Sequence, residues 1–529
     1  MHVPNLRDCA PRYQRVRQQL AFGSSPEHSA SIAFVRLRRK TFTTLRVPPF
    51  RDRMRLSRLS IRRVAGLAFA AIASALPAVW AQAPVVRQLE YTRSVLPNGL
   101  VVILNEDHAS PIVAVDVWYH IGAKDESRGH TGLAHLCEHL MGEGSPNLSM
   151  PQRVFVQSLG GTSSRWANTT EDITHYYYTL PRHQLEVALW MESDRMLAPL
   201  SRADAEHLGP VRDVIKQERV QGHDNPVFGV ADERTRAAVF RGDHPYSIDP
   251  LGPTADLDAA TADDAKRFCA PYYVPNNAVI SLSGDLSSDN ANMLIEKYFG
   301  GIPRRPAPPR RSITPSELAA VTRLALEDAR ARTTTLRFAW PSVEFAHADR
   351  LPLVALGSLL TRDRVGRLNK LLVYDRRLAS RVVATNFDFE KSGLFQIDVT
   401  PQPGASLTVI EQLVDSTLAS LDSQPVSAQE LDAFKRSNAV VAITQLQTRA
   451  ARADTLAHGE LFAHDPAAYA KQVNQTFALT PADVQRVAKR YLSPARVVMS
   501  MVPAGKLDLI AKPDAPYTNV TPPAPKAVP

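Results

Sequence analysis

Cysteine is scarce in this chain of 529 residues: it has three, and only Cys137 and Cys269 lie beyond the amino-terminal segment. Two thiols cannot build the multi-bridge framework that holds small secreted folds together. The fold is therefore expected to rest on its core without a disulfide framework, and Cys137 is read as a buried structural thiol. Long apolar runs are lacking too. The longest, Val64 to Val79, is roughly sixteen residues, short of the ~20 that cross a bilayer. A sustained charge of one sign is missing as well. The net charge of +9 sits wholly in residues 1–63, where 15 Lys/Arg face 3 Asp/Glu, while the rest has 47 against 50. That removes the main support for a nucleic-acid partner.

What is present begins with the leader. From Met54 the chain reads as basic residues, the apolar run, and then small residues up to Ala81 and Ala83. This is the pattern of a secretory signal peptide over 54–83, with export across the inner membrane, most simply to the periplasm, and no stable membrane anchor. Met54 is the expected start, so residues 1–53 are a dispensable or untranslated leader. Beyond residue 84, apolar and polar residues alternate through an extended stretch that holds an Asn98-Gly99 hairpin turn. A helix is predicted from about Thr131 to Met141. Residues 304–318 are rich in Pro and Arg and read as a linker. After it the pattern restarts: a strand-like Arg332–Trp340, an apolar helix from Ala348 to Leu360 with more helix to Leu378, and a strand-like Gly393–Pro401. An α+β fold in two halves, 84–303 and 319–510, fits this best. Residues 511–529 are expected to form a disordered tail.

The chemistry-bearing segment is Gly132–Ser145. On a helix His135, Glu138 and His139 share one face, while Leu133, Leu136, Cys137 and Leu140 form the opposite, core-facing stripe. Neutral imidazoles four residues apart can both reach one zinc at about 2.0–2.1 Å, and the adjacent carboxylate can take a proton from water. This H-x-x-E-H order is the inverse of H-E-x-x-H. A solvated His/Glu face on a surface helix is the plain alternative. A catalytic zinc needs a third protein ligand. The candidate is Glu218, which continues a stripe of Val211, Val214 and Ile215 and would be costly there unless paired or bound to metal. An ion pair, or a stripe that has reached its exposed end, would serve equally.

Together with these motifs, the segments around Leu96–Glu126, Val214–Gly229, His244–Gly252, Tyr272–Leu286, Glu296–Pro303 and Leu371–Ala379 resemble the pitrilysin/insulinase family of zinc peptidases. The similarity is greatest to the shorter bacterial relatives of mitochondrial processing peptidase. The resemblance runs from about Tyr91 to Ala504. It implies two similar α+β halves, each with helices packed on a mostly antiparallel sheet. It also implies one Zn2+ per chain held by His135, His139 and Glu218, with Glu138 as catalytic base in a metalloendopeptidase acting on unstructured peptides. Three positions depart from the family. A second glutamate expected one helical repeat before the metal-binding one is Val211. An Asn-Ala pair that aligns substrate has only Trp166-Ala167 or a shifted Asn168 to match it, so no substrate-binding residue is assigned. An Arg and a Tyr expected in the second half fall on Val373 and Ser380, with Tyr374, Arg376 and Arg377 nearby. The resemblance therefore implies a homologous partner subunit that supplies the Arg/Tyr pair, or else a homodimer. Two rival readings are a non-catalytic scaffold of a family heterodimer and a periplasmic peptide-binding protein with a structural zinc. His130, His175 and His244 are read as turn or packing residues.

Overall fold

The computed structural model describes residues 88–163 and 165–523. The expected leader and signal peptide, and residues 524–529, lie outside them. The first sheet is built from β1 (Thr92–Val95), β2 (Val101–Glu106), β3 (Ile112–Tyr119), β4 (Ala167–Thr169), β5 (Thr174–Pro181) and β6 (Ala278–Gly284), in the order β1-β2-β6-β3-β5-β4. The second uses β7 (Thr322–Asp328), β8 (Thr335–Ser342), β9 (Ala379–Asp388), β10 (Gly393–Pro401), β11 (Val497–Pro503) and β12 (Thr518–Val520), in the order β12-β7-β11-β8-β10-β9. From the second place on the two orders match; the first place differs, with the amino-terminal β1 antiparallel to β2 and the carboxy-terminal β12 parallel to β7. β2 runs parallel to β6 as β7 does to β11, and the next neighbours on that side are antiparallel in both. Two similar α+β halves are thus present. The Asn98-Gly99 turn joins β1 to β2 antiparallel, and Gly99 takes the left-handed conformation (φ +93°) that glycine adopts without strain.

Four helices position the site: α1 (Leu133–Gly142), α2 (Ala205–Arg219), α3 (Ala262–Cys269) and α4 (Arg449–Ala463). Strand side chains alternate between faces. Val113, Val115, Val117 and Tyr119 of β3 therefore enter one core with Leu133, Leu136 and Leu140 of α1, Val211 and Ile215 of α2 and Ala265 of α3. The opposite face of this sheet is covered from the other half. Leu456 and Ala457 of α4 pack on Ile103, Trp118, Ile173 and Val279, flanked by ion pairs of Arg449 and Arg452 with Asp107 and of Glu460 with Arg93. The exchange is reciprocal. Val230, Ala231, Val239, Phe240 and Tyr246 of the first half pack on Leu324, Leu326, Ala339 and Met499 of the second sheet.

Residues 304–318 carry neither helix nor strand, yet they are strapped to the first half. Arg310 donates to the His120 carbonyl (2.8 Å) and Arg311 to that of Glu126 (2.6 Å). No helix among the described residues is long and apolar enough to cross a membrane.

Two expectations are overturned. Cys137 and Cys269 form a disulfide, with Cα atoms 6.6 Å apart, that ties the middle of α1 to the last residue of α3. Counting cysteines cannot reveal this, because the two residues are 132 positions apart and meet only when the helices pack. The carboxy-terminal segment is also not a free tail. Ile510 and Ala511 are buried, and Thr518–Val520 pair parallel with β7 as β12. An edge strand is held by backbone hydrogen bonds and needs no apolar sequence.

Candidate metal centre

The local sequence shapes α1 from its first residue. Gly132 precedes the helix at φ +83°, and its N–H and that of Ala134 donate to the Glu126 carboxylate at 2.8 and 2.7 Å. A side-chain acceptor thus satisfies donors left open at a helix start. Glu126 is fully buried, and burial raises its pKa well above the usual carboxylate range despite those hydrogen bonds. With the leucine stripe in the core and Cys137 bonded to Cys269, the other face of α1 is fixed, and it carries His135, Glu138 and His139.

Glu218 arrives from the end of α2, just before the chain loosens into a wide turn over Val220–Asp224. The stripe expected along α2 is only partly there. Val211 and Ile215 are buried, but Val214 is 48% exposed, and the Glu218 side chain itself is 43% exposed. Glu218 is therefore not a carboxylate forced into a core. It leans over the edge of α1 toward the two imidazoles. The same packing puts Val211, where the family often has a second glutamate, inside the core with no polar role.

His135 Nε2 lies 3.2 Å from His139 Nε2, and Glu218 Oε2 lies 3.4 and 3.7 Å from them. Two ligands about 2.0–2.1 Å from a tetrahedral ion are separated by about 3.3–3.4 Å, so these three atoms match one face of a zinc coordination shell. Glu138 stands beside that face, its Oε2 4.0 Å from His135 Nε2 and accepting a 2.6 Å hydrogen bond from Thr169 Oγ1. Burial, reinforced by His139, pushes the His135 pKa down to about 4, which keeps the imidazole neutral and able to bind a metal. Burial also works to lower the pKa of His139, but the carboxylates of Glu218 and Glu138 outweigh it and the net shift is upward. For Glu138 burial dominates and raises the pKa, despite His139 and Thr169. His135 Nδ1 is buried with no partner among the described residues.

The structure brings His135, Glu138, His139 and Glu218 together and leaves the other singled-out positions apart. Ala167 and Asn168 lie on β4, the outer strand of the first sheet, opposite Tyr176 and His175. Trp166 packs its indole against Gly142 at the end of α1 and beside the Tyr176 ring, 5.4 Å away. Val373 is partly buried against the second core, and Ser380 donates to the Thr400 carbonyl (3.2 Å). Tyr374 is exposed and bonded to Asp363. His130 is an exposed turn residue, and His244 stacks on Phe240. His175 does pack, against Trp118 and Tyr177, but it also pairs with Asp116. Thr169 joins the site through its hydrogen bond to Glu138. Its only sequence signal is its place at the end of the strand that carries Ala167 and Asn168.

Two family descriptions match the chain: insulinase (peptidase family M16) over residues 101–245, and the peptidase M16 inactive domain over residues 259–438. A curated relative, the zinc protease PqqE of Helicobacter pylori, is 27% identical over 444 residues, covering 82% of this chain and 97% of its own length. A crystal structure of a protease from Helicobacter pylori superposes with a TM-score of 0.73 at 24% identity, over 79% of this chain and 100% of that one. A peptidase M16 inactive domain from Pseudomonas fluorescens gives 0.68 at 18%, over 81% and 100%. The chain is a member of the insulinase (pitrilysin) family, with both halves of the family's two-part fold.

Proposed function

We propose that this chain is a zinc-dependent endopeptidase with one Zn2+ held by His135 Nε2, His139 Nε2 and Glu218 Oε2. The observation that carries the reading is the triangle of three donor atoms with a carboxylate immediately outside it. When bound there, zinc supplies Lewis-acid chemistry to a scissile carbonyl. The chain's own groups do the rest. Glu138 takes the proton of the attacking water on its carboxylate and later delivers it to the leaving amine, and the burial that raises its pKa moves it toward the operating pH of a general base. Thr169 holds the Glu138 carboxylate in place through its hydroxyl. β4 has an outer edge that pairs with no strand among the described residues, so an extended peptide can add there as a further strand. Glu138→Gln should keep zinc and lower peptide cleavage by about 10²–10⁴-fold. Undiminished turnover in the metal-loaded variant would sink the mechanism and favour a scaffold or peptide-binding role.

The working unit is read as a pair of chains. Val373 and Ser380 offer neither the cation nor the phenol that the family resemblance leads one to expect, and loss of substrate-positioning contacts can cost orders of magnitude in rate. A related subunit carrying an Arg/Tyr pair would supply them. Peptide hydrolysis by the purified chain alone, compared with the co-expressed pair, decides between this and a self-sufficient homodimer. The Cys137–Cys269 disulfide suits an oxidising compartment and supports export to the periplasm. Amino-terminal sequencing of the exported protein should find Gln82 or Pro84.

A further inference from the structure

The outer face of the first sheet holds a second constellation of metal-binding side chains. Asp116 and Trp118 of β3 and His175 of β5 point away from the α1 core, and α4 of the second half presents Asp454 and, one turn on, His458. His175 Nδ1 lies 3.1 Å from Asp116 Oδ1. One donor atom from each of Asp116, His175 and Asp454 lies within 4.8 Å of the other two. Asp116 and His175 are buried and Asp454 is half-buried.

The charges here do not balance. Along the same helix Arg449 and Arg452 meet Asp107, and Glu460 meets Arg93. At the cluster two carboxylates converge, and among the described residues no Lys or Arg pairs with either. Asp454 forms no hydrogen bond or ion pair with any described residue. The remaining groups that face it bring no positive charge. Burial, with Arg350 and His175, pushes the His458 pKa down to about 4, so it is neutral. Tyr177 is a phenol, and the Trp118 indole N–H is buried without a partner among the described residues. Glu138 acts on His175 from the other side of the sheet and adds negative charge. Burial and the Asp116 charge push Asp454 up to about 6 against the opposing charge of His175, as expected for an acid whose surroundings are short of positive charge. One protonated imidazole offsets one of two carboxylates. A divalent cation offsets both.

We propose that Asp116, His175 and Asp454 form a second divalent-cation site, separate from the His135–His139–Glu218 centre, that pins α4 of the second half to the first sheet. Two carboxylate oxygens and one imidazole nitrogen, with no thiolate, select a borderline ion such as Zn2+ or Mn2+. Ca2+ prefers six to eight oxygens. His175 and Asp116 already stand at the spacing of two ligands on one ion, and Asp454 completes the set by turning in from the other half. The site is structural: both halves contribute a ligand, so occupancy favours the docked arrangement over any state in which α4 lifts away.

The test separates the two sites. Protein carrying His135→Ala and His139→Ala is dialysed against Zn2+ or Mn2+ alone and then freed of excess ion. Bound metal is counted by elemental mass spectrometry, and thermal unfolding is followed with and without the ion. About one equivalent should remain, with a cation-dependent rise in Tm, and adding Asp454→Asn should remove both while leaving the far-ultraviolet circular dichroism unchanged. Should the double variant not fold, the same count on the full chain should fall from two equivalents to one on Asp454→Asn, with peptide hydrolysis at the first centre retained. A folded double variant that binds no metal, or equal metal content with and without Asp454→Asn, overturns the proposal. So does a cluster whose only signature is pH-dependent stability without bound metal.

Discussion

Thr169 shows how one hydroxyl governs a neighbouring charge. It donates to Glu138 Oε2 at 2.6 Å and sits 3.2 Å from Thr174 Oγ1, so it orients the carboxylate and favours its ionised form. Thr169→Val keeps the shape and removes the donor. A hydrogen bond to a charged group is worth about 1.5–3 kcal/mol, so kcat should fall roughly 10- to 100-fold with zinc stoichiometry unchanged. Loss of zinc, or unchanged kcat, would show that the hydroxyl does not act on Glu138. His139→Ala and Glu218→Gln should do the opposite and lower bound zinc in the purified protein, and either variant binding metal normally would remove that residue from the ligand set. His135, Glu138 and His139 were legible because helical spacing alone brings them together. For Glu218 the apolar stripe of α2 points to the right residue for the wrong reason, since Val214 is exposed and the carboxylate is drawn by imidazoles rather than trapped in a core. Thr169 was not legible. It meets Glu138 from 31 residues away, across a strand pairing that no local pattern encodes.

Among the elements, α1 is the most constrained. The Glu126 carboxylate holds its first turn and a disulfide holds its middle, so the side that carries His135, Glu138 and His139 has little freedom. The bridge closes a long loop, between positions 132 apart, and removing a disulfide of this kind costs about 2–4 kcal/mol. Cys137→Ala with Cys269→Ala should lower the denaturant midpoint, with m the same or larger because the unfolded chain without the bridge exposes more surface. A midpoint equal to that of the parent would mean the packing of α1 on α3 suffices by itself. The strand Gly393–Pro401 was readable to the residue, because alternation and its glycine and proline boundaries agree. β12 was not, because a three-residue edge strand among prolines has no period to read.

At the scale of the whole molecule, the turn between β9 and β10 docks on the first half. Glu390 Oε2 lies 2.7 Å from His120 Nε2 and 3.4 Å from Lys124 Nζ. Burial opposes its ionisation, but His120 and Lys124 outweigh that and hold its pKa down to about 2. A carboxyl depressed on folding contributes stability above its unfolded value, about 4.3, and loses that contribution as pH falls toward 2. The stability gap between the parent and Glu390→Gln should therefore be full at pH 6 and close progressively between about pH 4 and 2. A gap that is constant over this range would show that the charge contributes nothing.

The reciprocal covering of the two sheets has a consequence for how the chain is made. The first sheet is complete once Gly284 has been synthesised, yet one face of it waits for α4, which begins at Arg449. Until then Ile103, Trp118, Ile173 and Val279 face water as a contiguous apolar patch, the kind of surface that aggregates or recruits a chaperone. The amino-terminal half, although first to emerge, is thus among the last parts to finish folding, and growth from one end does not give domain-by-domain maturation. A fragment ending at residue 318 should bind a hydrophobic dye and self-associate, and should lose both properties when residues 319–523 are supplied as a separate chain. A monomeric, dye-silent fragment would show that its exposed face needs no cover.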